Sequence, residues 1–220
     1  MRPSRPRYAY TWDVEVVLAY IDSLHPLQDL SLKDLTFKLV TLIALITGQR
    51  CQSIHFMSLD FMQHTSQKFR FVIEDLIKTS KPGSKLPVLI LPKYDQNERR
   101  CAFRTMEHYL CVTEPLRKSN YVFVSYTKPH KAVHKETISR WIKTTLCSAG
   151  VDISTFKSHS TRAAATSSAN RAMVPLETIM KAASWQNTET FRLFYNKPLQ
   201  TEDEFALAIL DNLRDNNSSR

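Results

Sequence analysis

The sequence predicts a mainly α-helical domain with a small antiparallel β-sheet, and three observations carry that prediction. Apolar residues recur at helical spacing through most of the chain, only a few short runs have strand character, and no internal repeat, low-complexity tract or linker divides the 220 residues. In order, Trp12, Val16, Ala19 and Leu24 mark a first helix. "SLKDLTFKLVTLIALITG" (31–48) reads as a second, opened by Ser31 with Asp34 three residues on and ended by Gly48. "KFRFVIEDLIK" (68–78) and "LPVLILP" (86–92) read as strands joined through "TSKPGSK", whose Pro82–Gly83 pair signals a turn, so a hairpin with a basic tip is expected. Helix returns over "NERRCAFRTMEHYLCV" (97–112), "YVFVSY" (121–126) reads as a short strand, and "KETISRWIKTTLCSAG" (135–150) as a helix ended by Gly150. Three further helical pieces follow: an alanine-rich segment to about Arg171, "PLETIMKAAS" opened by Pro175, and "NTETFRLFYN". A last stretch, "EDEFALAILDNL" (202–213), puts Phe205, Ile209 and Leu213 on one stripe. The organisation expected is a basic flexible arm over 1–10, one domain over 11–200, and an amphipathic helix with a tail over 201–220.

Thirty Lys and Arg against 21 Asp and Glu leave a net charge of +9, a surplus suited to a polyanionic partner, with nucleic acid first. The 43% hydrophobic content is ordinary for a globular core, so the chain should fold alone. Cys51, Cys101, Cys111 and Cys147 form no C-x-x-C pair, which argues against a zinc knuckle or disulfide scaffold and for buried thiols in a reducing compartment. No apolar run reaches the ~20 residues that cross a bilayer, and "MRPSRPRYAY" lacks the apolar segment of a secretory signal. A soluble intracellular protein with no membrane partner is expected. Arg2, Arg5 and Arg7, set between prolines, fit an arm that touches DNA, a nuclear address or a frayed tail. His130 and His134 are four apart, but Pro129 interrupts the helix that would align them and no third ligand is near in sequence, so no metal is expected.

The stretch "FKSHSTRAAATSSA" gathers Ser158, His159, Ser160, Thr161 and Arg162 just before the alanine-rich helix. Two readings fit. Ser158 or Ser160 caps the helix, or an anion such as phosphate binds there, because a helix start presents free N–H groups and partial positive charge. The serines and threonines near Thr166 fit either a helix surface or phosphate contacts.

Three segments together carry a resemblance. "TGQRCQSIHFMSLD", "HSTRAAATSSA" and "SWQNTETFRLFYN" resemble the conserved boxes of the tyrosine recombinase (phage integrase) family, in that family's order, over roughly residues 31–200. The phrasing around them, including "TISRWIK" and "ASWQNTETFRLFYNK", is most similar to recombinases of eukaryotic DIRS-like retrotransposons. The resemblance implies a tyrosine recombinase catalytic-domain-like fold over 11–200 and an enzyme that breaks and rejoins double-stranded DNA through a 3′-phosphotyrosyl intermediate, with no cofactor, in the nucleus. A phosphodiester attacked by a tyrosine passes through a phosphorane whose equatorial oxygens gain charge, so fixed cations should flank it. Arg50 and Arg162 each offer a planar fork that does not titrate away. His159 can accept the tyrosine proton or donate to a phosphate oxygen.

Trp185 stands where family members carry His or Trp; its indole N–H donates one hydrogen bond and transfers no proton, and the ring can fill core as well. Tyr195 is the expected nucleophile. The bacterial and phage spacing from Trp185 is one residue shorter and would land on Phe194, whose ring cannot attack phosphorus; the longer spacing is shared by the DIRS-like group. The family's hairpin lysine, which protonates the leaving oxygen, is best matched by Lys78, with Lys81 second. Lys81, Lys85, Arg140, Ser158, Ser160 and Thr161 are the expected DNA contacts. Ser53 stands where the family usually has Glu or Asp.

The resemblance leaves two neighbouring activities open, a type IB topoisomerase and an inactive DNA-binding descendant of a mobile element. It also implies that this chain is the catalytic half of a clamp whose other side is an N-terminal helical domain. The 202–213 stripe should dock either on its own domain or, by the same resemblance, in a neighbouring subunit, and the second arrangement implies a monomer or weak dimer when free and a homo-oligomer, a tetramer, on DNA.

Overall fold

The computed structural model describes residues 6–75, 86–185 and 187–199. Eight α-helices occur among these: α1 Val14–Ser23, α2 Leu32–Thr47, α3 Cys51–His55, α4 Ala102–Thr113, α5 Lys135–Ser148, α6 Ser160–Arg171, α7 Leu176–Ala182 and α8 Thr188–Phe194. Three strands, β1 Met62–Thr65, β2 Lys68–Val72 and β3 Val88–Pro92, form one antiparallel sheet in the order β1-β2-β3. The mainly helical fold with a small antiparallel sheet is the one the sequence predicts.

Helix α2 is the axis. Ser31 caps it, accepting the Asp34 N–H at 3.1 Å and donating back to its carboxylate at 2.6 Å, and Gly48 ends it in the left-handed region at φ 57°. Between these ends Leu35–Leu45 are buried without a break, because α4, α5, α6 and β3 pack around it. In the sheet the alternation predicted for a hairpin holds: Phe69 pairs with Leu91 and Phe71 with Leu89, all four buried on one face. The tip of that hairpin, with Lys78, Lys81 and Lys85, lies outside the described residues, as does the 202–213 stretch.

Three elements differ from expectation. The first helix starts after Trp12, and its buried residues are Val17 and Ile21, whereas Val16 and Ala19 face solvent. Its C-terminal carbonyls are met by a buried lysine: Lys38 of α2 donates to Leu24 O at 2.6 Å and Ile21 O at 3.3 Å, and burial pushes its pKa down to about 8. The "YVFVSY" run forms only isolated bridges, Ser58 with Tyr121 and Val124 with Ala132, with Val122, Phe123 and Val124 all buried. The thiols differ from expectation too: Cys101 is buried, Cys51 half-buried, and Cys111 and Cys147 are exposed. Strand β1 was not expected, and its burial pattern explains why: three of its four residues are exposed.

A second, small apolar cluster stands apart from the main core. It consists of Ile179 and Met180 of α7 and Phe191 of α8, with Trp185 and Tyr195 packed against it. The N-terminal segment is tied down from Arg7 onward. Trp12 is buried and donates to Ser160 Oγ at 2.8 Å, and the Thr11 N–H donates to Pro198 O at 2.8 Å.

Gly48 is the joint between α2 and Arg50. A Cβ there would meet Thr166 Cγ2 at 3.3 Å on top of the left-handed φ. Gly48→Ala is expected to cost about 1–2 kcal/mol and to lower the thermal midpoint by roughly 2–8 °C, with Gly48→Asn losing less. Unchanged melting of the alanine variant would contradict the assignment.

Candidate active site

The left-handed turn at Gly48 sends the chain out of α2 into extended backbone at Arg50, which sits as the N-cap of α3 at φ −78° and ψ 153°. The neighbouring Gln49 fixes this turn against the far end of the chain, its Nε2 donating to Ala182 O at 2.6 Å and Ser184 Oγ at 2.8 Å. Arg50 is half-buried, and among the described residues its guanidinium has no hydrogen-bond partner.

Opposite it, no side chain caps α6. The cap reading of Ser158 and Ser160 fails because both hydroxyls are engaged elsewhere: Ser158 Oγ lies 2.6 Å from Ser139 Oγ, and Ser160 Oγ accepts from Trp12. Arg162, one turn into α6, is 4% exposed. It donates through Nη2 to Ala183 O, while its Nε and Nη1 are buried without partners. Its guanidinium lies 4.3 Å from the centre of the Trp185 ring and 5.5 Å from that of Tyr195. Burial, with the Arg50 charge added, pushes its pKa down to about 9, so it keeps its charge at neutral pH. Trp185 Nε1 and Thr161 Oγ1 are also buried and unpartnered. So is Oγ of the fully buried Ser53, which stands where an acidic residue was expected.

These groups converge on one cleft of about 430 Å³, lined by Arg50, Ser158, His159, Thr161, Arg162 and Tyr195, among others. Tyr195 is the C-cap of α8, half-buried, with its ring 4.5 Å from that of Trp185. The cleft therefore holds the tyrosine of the same chain. His159 stands at the N-cap of α6. Arg140 is exposed on α5 and does not line the cleft.

Sequence reasoning missed the residues that hold this site together. Ser167, fully buried, donates to Tyr195 O at 2.5 Å and accepts from the Lys197 N–H at 2.8 Å, pinning the backbone on both sides of Asn196. Thr166 is buried too and bonds back to Arg162 O at 2.8 Å. The serines and threonines near Thr166 thus include neither a simple surface nor a phosphate contact at these two positions. A buried hydroxyl in an alanine-rich helix is the one signal that pointed to them.

Chemically, the cleft offers two guanidinium groups, a hydroxyl and an imidazole, with the indole N–H of Trp185 beside the Arg162 guanidinium. That is a donor set for an anion with several oxygens. A tyrosine hydroxyl on the same cleft supplies a nucleophile.

The comparisons with known proteins bear on the fold and the family. No curated protein sequence is significantly similar to the chain. The same fold occurs in the XerH site-specific recombinase in a pre-cleavage complex with difH substrate, at TM-score 0.64 and 14% identity over 91% of this chain and 53% of that one. It occurs in XerA recombinase, at TM-score 0.64 and 14% identity over 97% and 66%, and in a lambda integrase dimer bound to a COC' core site, at 0.57 and 12% over 92% and 51%. The chain spans about half the length of the XerH and lambda integrase chains. The phage integrase family profile matches residues 13–201, which takes in every element from the cap of α1 to the tyrosine, and on that match the chain belongs to the phage integrase family.

Proposed function

We propose that this chain is the catalytic unit of a DNA strand-exchange enzyme, a tyrosine recombinase that cuts and rejoins double-stranded DNA through Tyr195. The observation that carries the reading is Arg162: a cation 4% exposed, with two guanidinium nitrogens unpartnered beside the equally unpartnered Trp185 Nε1. Buried donors are normally satisfied, and a charged one left open is costly unless a ligand completes it. A phosphodiester does so, with Arg162 and Arg50 on its nonbridging oxygens and one hydrogen bond from Trp185.

In the step proposed, the Tyr195 oxygen attacks phosphorus and its proton passes to His159. The bond from phosphorus to the 5′-oxygen breaks as the tyrosyl bond forms, leaving a 3′-phosphotyrosine and a 5′-hydroxyl. The proton for that hydroxyl comes from Lys78, on the sequence resemblance, with Lys81 as second candidate. Rejoining is the reverse. The guanidinium pair supplies the charge that metal ions supply to other phosphoryl transfers, so no metal or cofactor is needed. Arg140, Lys85, Ser158 and Thr161 are proposed DNA contacts; Ser160 drops out, because it is 1% exposed with its hydroxyl held by Trp12 and its N–H by Lys157 O. The segments "TISRWIK" and "ASWQNTETFRLFYNK", with the longer spacing to Tyr195, support a source among DIRS-like mobile elements and a nuclear setting. Lambda integrase is seen as a dimer on a core site and as a tetramer on a Holliday junction, and we propose DNA-directed assembly of the same kind here.

Three outcomes are expected. Tyr195→Phe abolishes covalent attachment to nicked duplex DNA and leaves DNA binding intact; mapping the adduct by mass spectrometry to any other residue would overturn the assignment. Arg162→Lys, which keeps a charge but not the fork, slows single-turnover cleavage by about 10²–10³-fold. Cleavage by the unaltered protein persists in excess EDTA, and its loss on chelation with recovery on adding a divalent ion would refute the role given to the arginines.

A further inference from the structure

Residues 7–12 touch both halves of the site. Arg7 Nη1 lies 2.9 Å from His159 Nε2, and the Tyr8 hydroxyl lies 3.1 Å from the same nitrogen while accepting the Lys157 N–H at 3.2 Å. The Tyr8 ring stacks on the imidazole at 5.6 Å and meets Phe156 at 5.4 Å. Four residues on, Trp12 holds Ser160, the residue after the histidine, and Thr11 bonds the chain three residues past Tyr195. A segment that far away in sequence contacts the one side chain proposed to take the nucleophile's proton.

The chemistry of the contact fixes the state of the ring. A guanidinium only donates, so the Nε2 facing Arg7 is the acceptor nitrogen and the imidazole is neutral, with its proton on Nδ1. His159 is exposed, and partial desolvation with the Arg7 charge added holds it below the usual histidine range, which agrees. Of the other charged groups lining the cleft, Arg50, Lys135 and Arg162 are cations and Glu136 alone is an anion. Lys157 turns its ammonium to the carbonyls of Ile153 and Ser154, and the remaining titratable neighbours are the Tyr8 and Tyr195 hydroxyls and the Cys51 thiol. The surroundings favour a neutral base, but its lone pair is shared by Arg7 and the Tyr8 hydroxyl. A phosphate oxygen is a far stronger acceptor for a guanidinium than a neutral imidazole nitrogen.

We propose that Arg7 and Tyr8 are positioning residues for His159: they keep its Nε2 unprotonated and aimed until Arg7 passes its hydrogen bond to the scissile phosphate, which leaves only the Tyr8 hydroxyl for the Tyr195 proton to displace from the lone pair. Only hydrogen bonds are exchanged in this step, and it rests on the strand-exchange reading above. Binding of the phosphate then unmasks the base, so cleavage chemistry is held back until DNA is seated.

Nitrogen-15 spectra of the imidazoles in the full chain, without DNA, test the pairing directly. The unaltered protein should show His159 neutral with its proton on Nδ1. Arg7→Gln should make it titrate at higher pH, Arg7→Lys should restore the lower value in part, and Tyr8→Phe, which keeps the stack, should move the Nε2 resonance. A proton on Nε2, or titration unchanged in Arg7→Gln, overturns the proposal. Single-turnover adduct formation on nicked DNA supplies the second readout. A higher histidine pKa keeps the base protonated over more of the range, so Arg7→Gln should shift the acid limb of the rate profile to higher pH and slow the reaction about tenfold on that limb. An unmoved limb with normal adduct sinks the Arg7–Tyr8 role alone. Absence of any adduct from the unaltered protein sinks the strand-exchange reading, while the spectra still decide the pairing.

Discussion

A charged guanidinium has been carried almost wholly out of water at the start of α6, and much of the surrounding structure exists to make that tolerable. Desolvating such a cation costs several kcal/mol, and the nearby charge of Arg50 adds to it. The compensation visible in the chain is small: one carbonyl, at Ala183, and the faces of two aromatic rings, Trp185 and Tyr195. Each needs its own support. Gln49 holds the carbonyl of Ala182 and the hydroxyl of Ser184, the cluster of Ile179, Met180 and Phe191 carries the two rings, and Ser167 pins the tyrosine's backbone. The energy held back at Arg162 is available to whichever oxygen-rich anion completes it.

The two apolar clusters divide this labour. The main core, built around α2, is continuous, and it packs under Arg50 at the end of α2 and under the first turn of α6. The smaller one under α7 and α8 is three buried side chains deep, so the segment bearing Tyr195 rests on far less buried apolar surface. Elements with few buried contacts open at lower free energy than the core. The fold thereby combines fixed guanidinium donors with a tyrosine on a lightly anchored piece, and the tether from Ser167 acts on main-chain atoms, leaving the ring held by its packing on Trp185 and its contact with Arg162.

What the sequence made legible follows from range. The Ser31 cap, the left-handed Gly48 and the alternation of Phe69 and Phe71 are local signals, and each produced the element it announced. Arg50, His159, Arg162, Trp185 and Tyr195 could be named from their motifs, and they meet at one cleft or against its wall. The failures are of two kinds. Where burial is complete on all sides, as at Val122–Val124, periodicity carries no information and a strand-like run forms no strand. Where a contact joins distant positions, as Trp12 to Ser160 or Arg7 to His159, nothing in either neighbourhood announces the other. The arm expected to be flexible over its first ten residues is, from Arg7 on, held by exactly such contacts, its aromatic rings supplying the adhesion that its arginines and prolines concealed.

The parallel bridge between Thr11 and Leu199 has a mechanical side. Chain entering at residue 11 and chain leaving at residue 199 run alongside each other, joined by the Thr11 N–H and the Pro198 carbonyl. Trp12, next to Thr11, is buried in the main core, so the bridge registers the backbone two residues beyond Asn196 against that core. A displacement of either strand is shared by the other, and the chain after Tyr195 moves with the chain before α1.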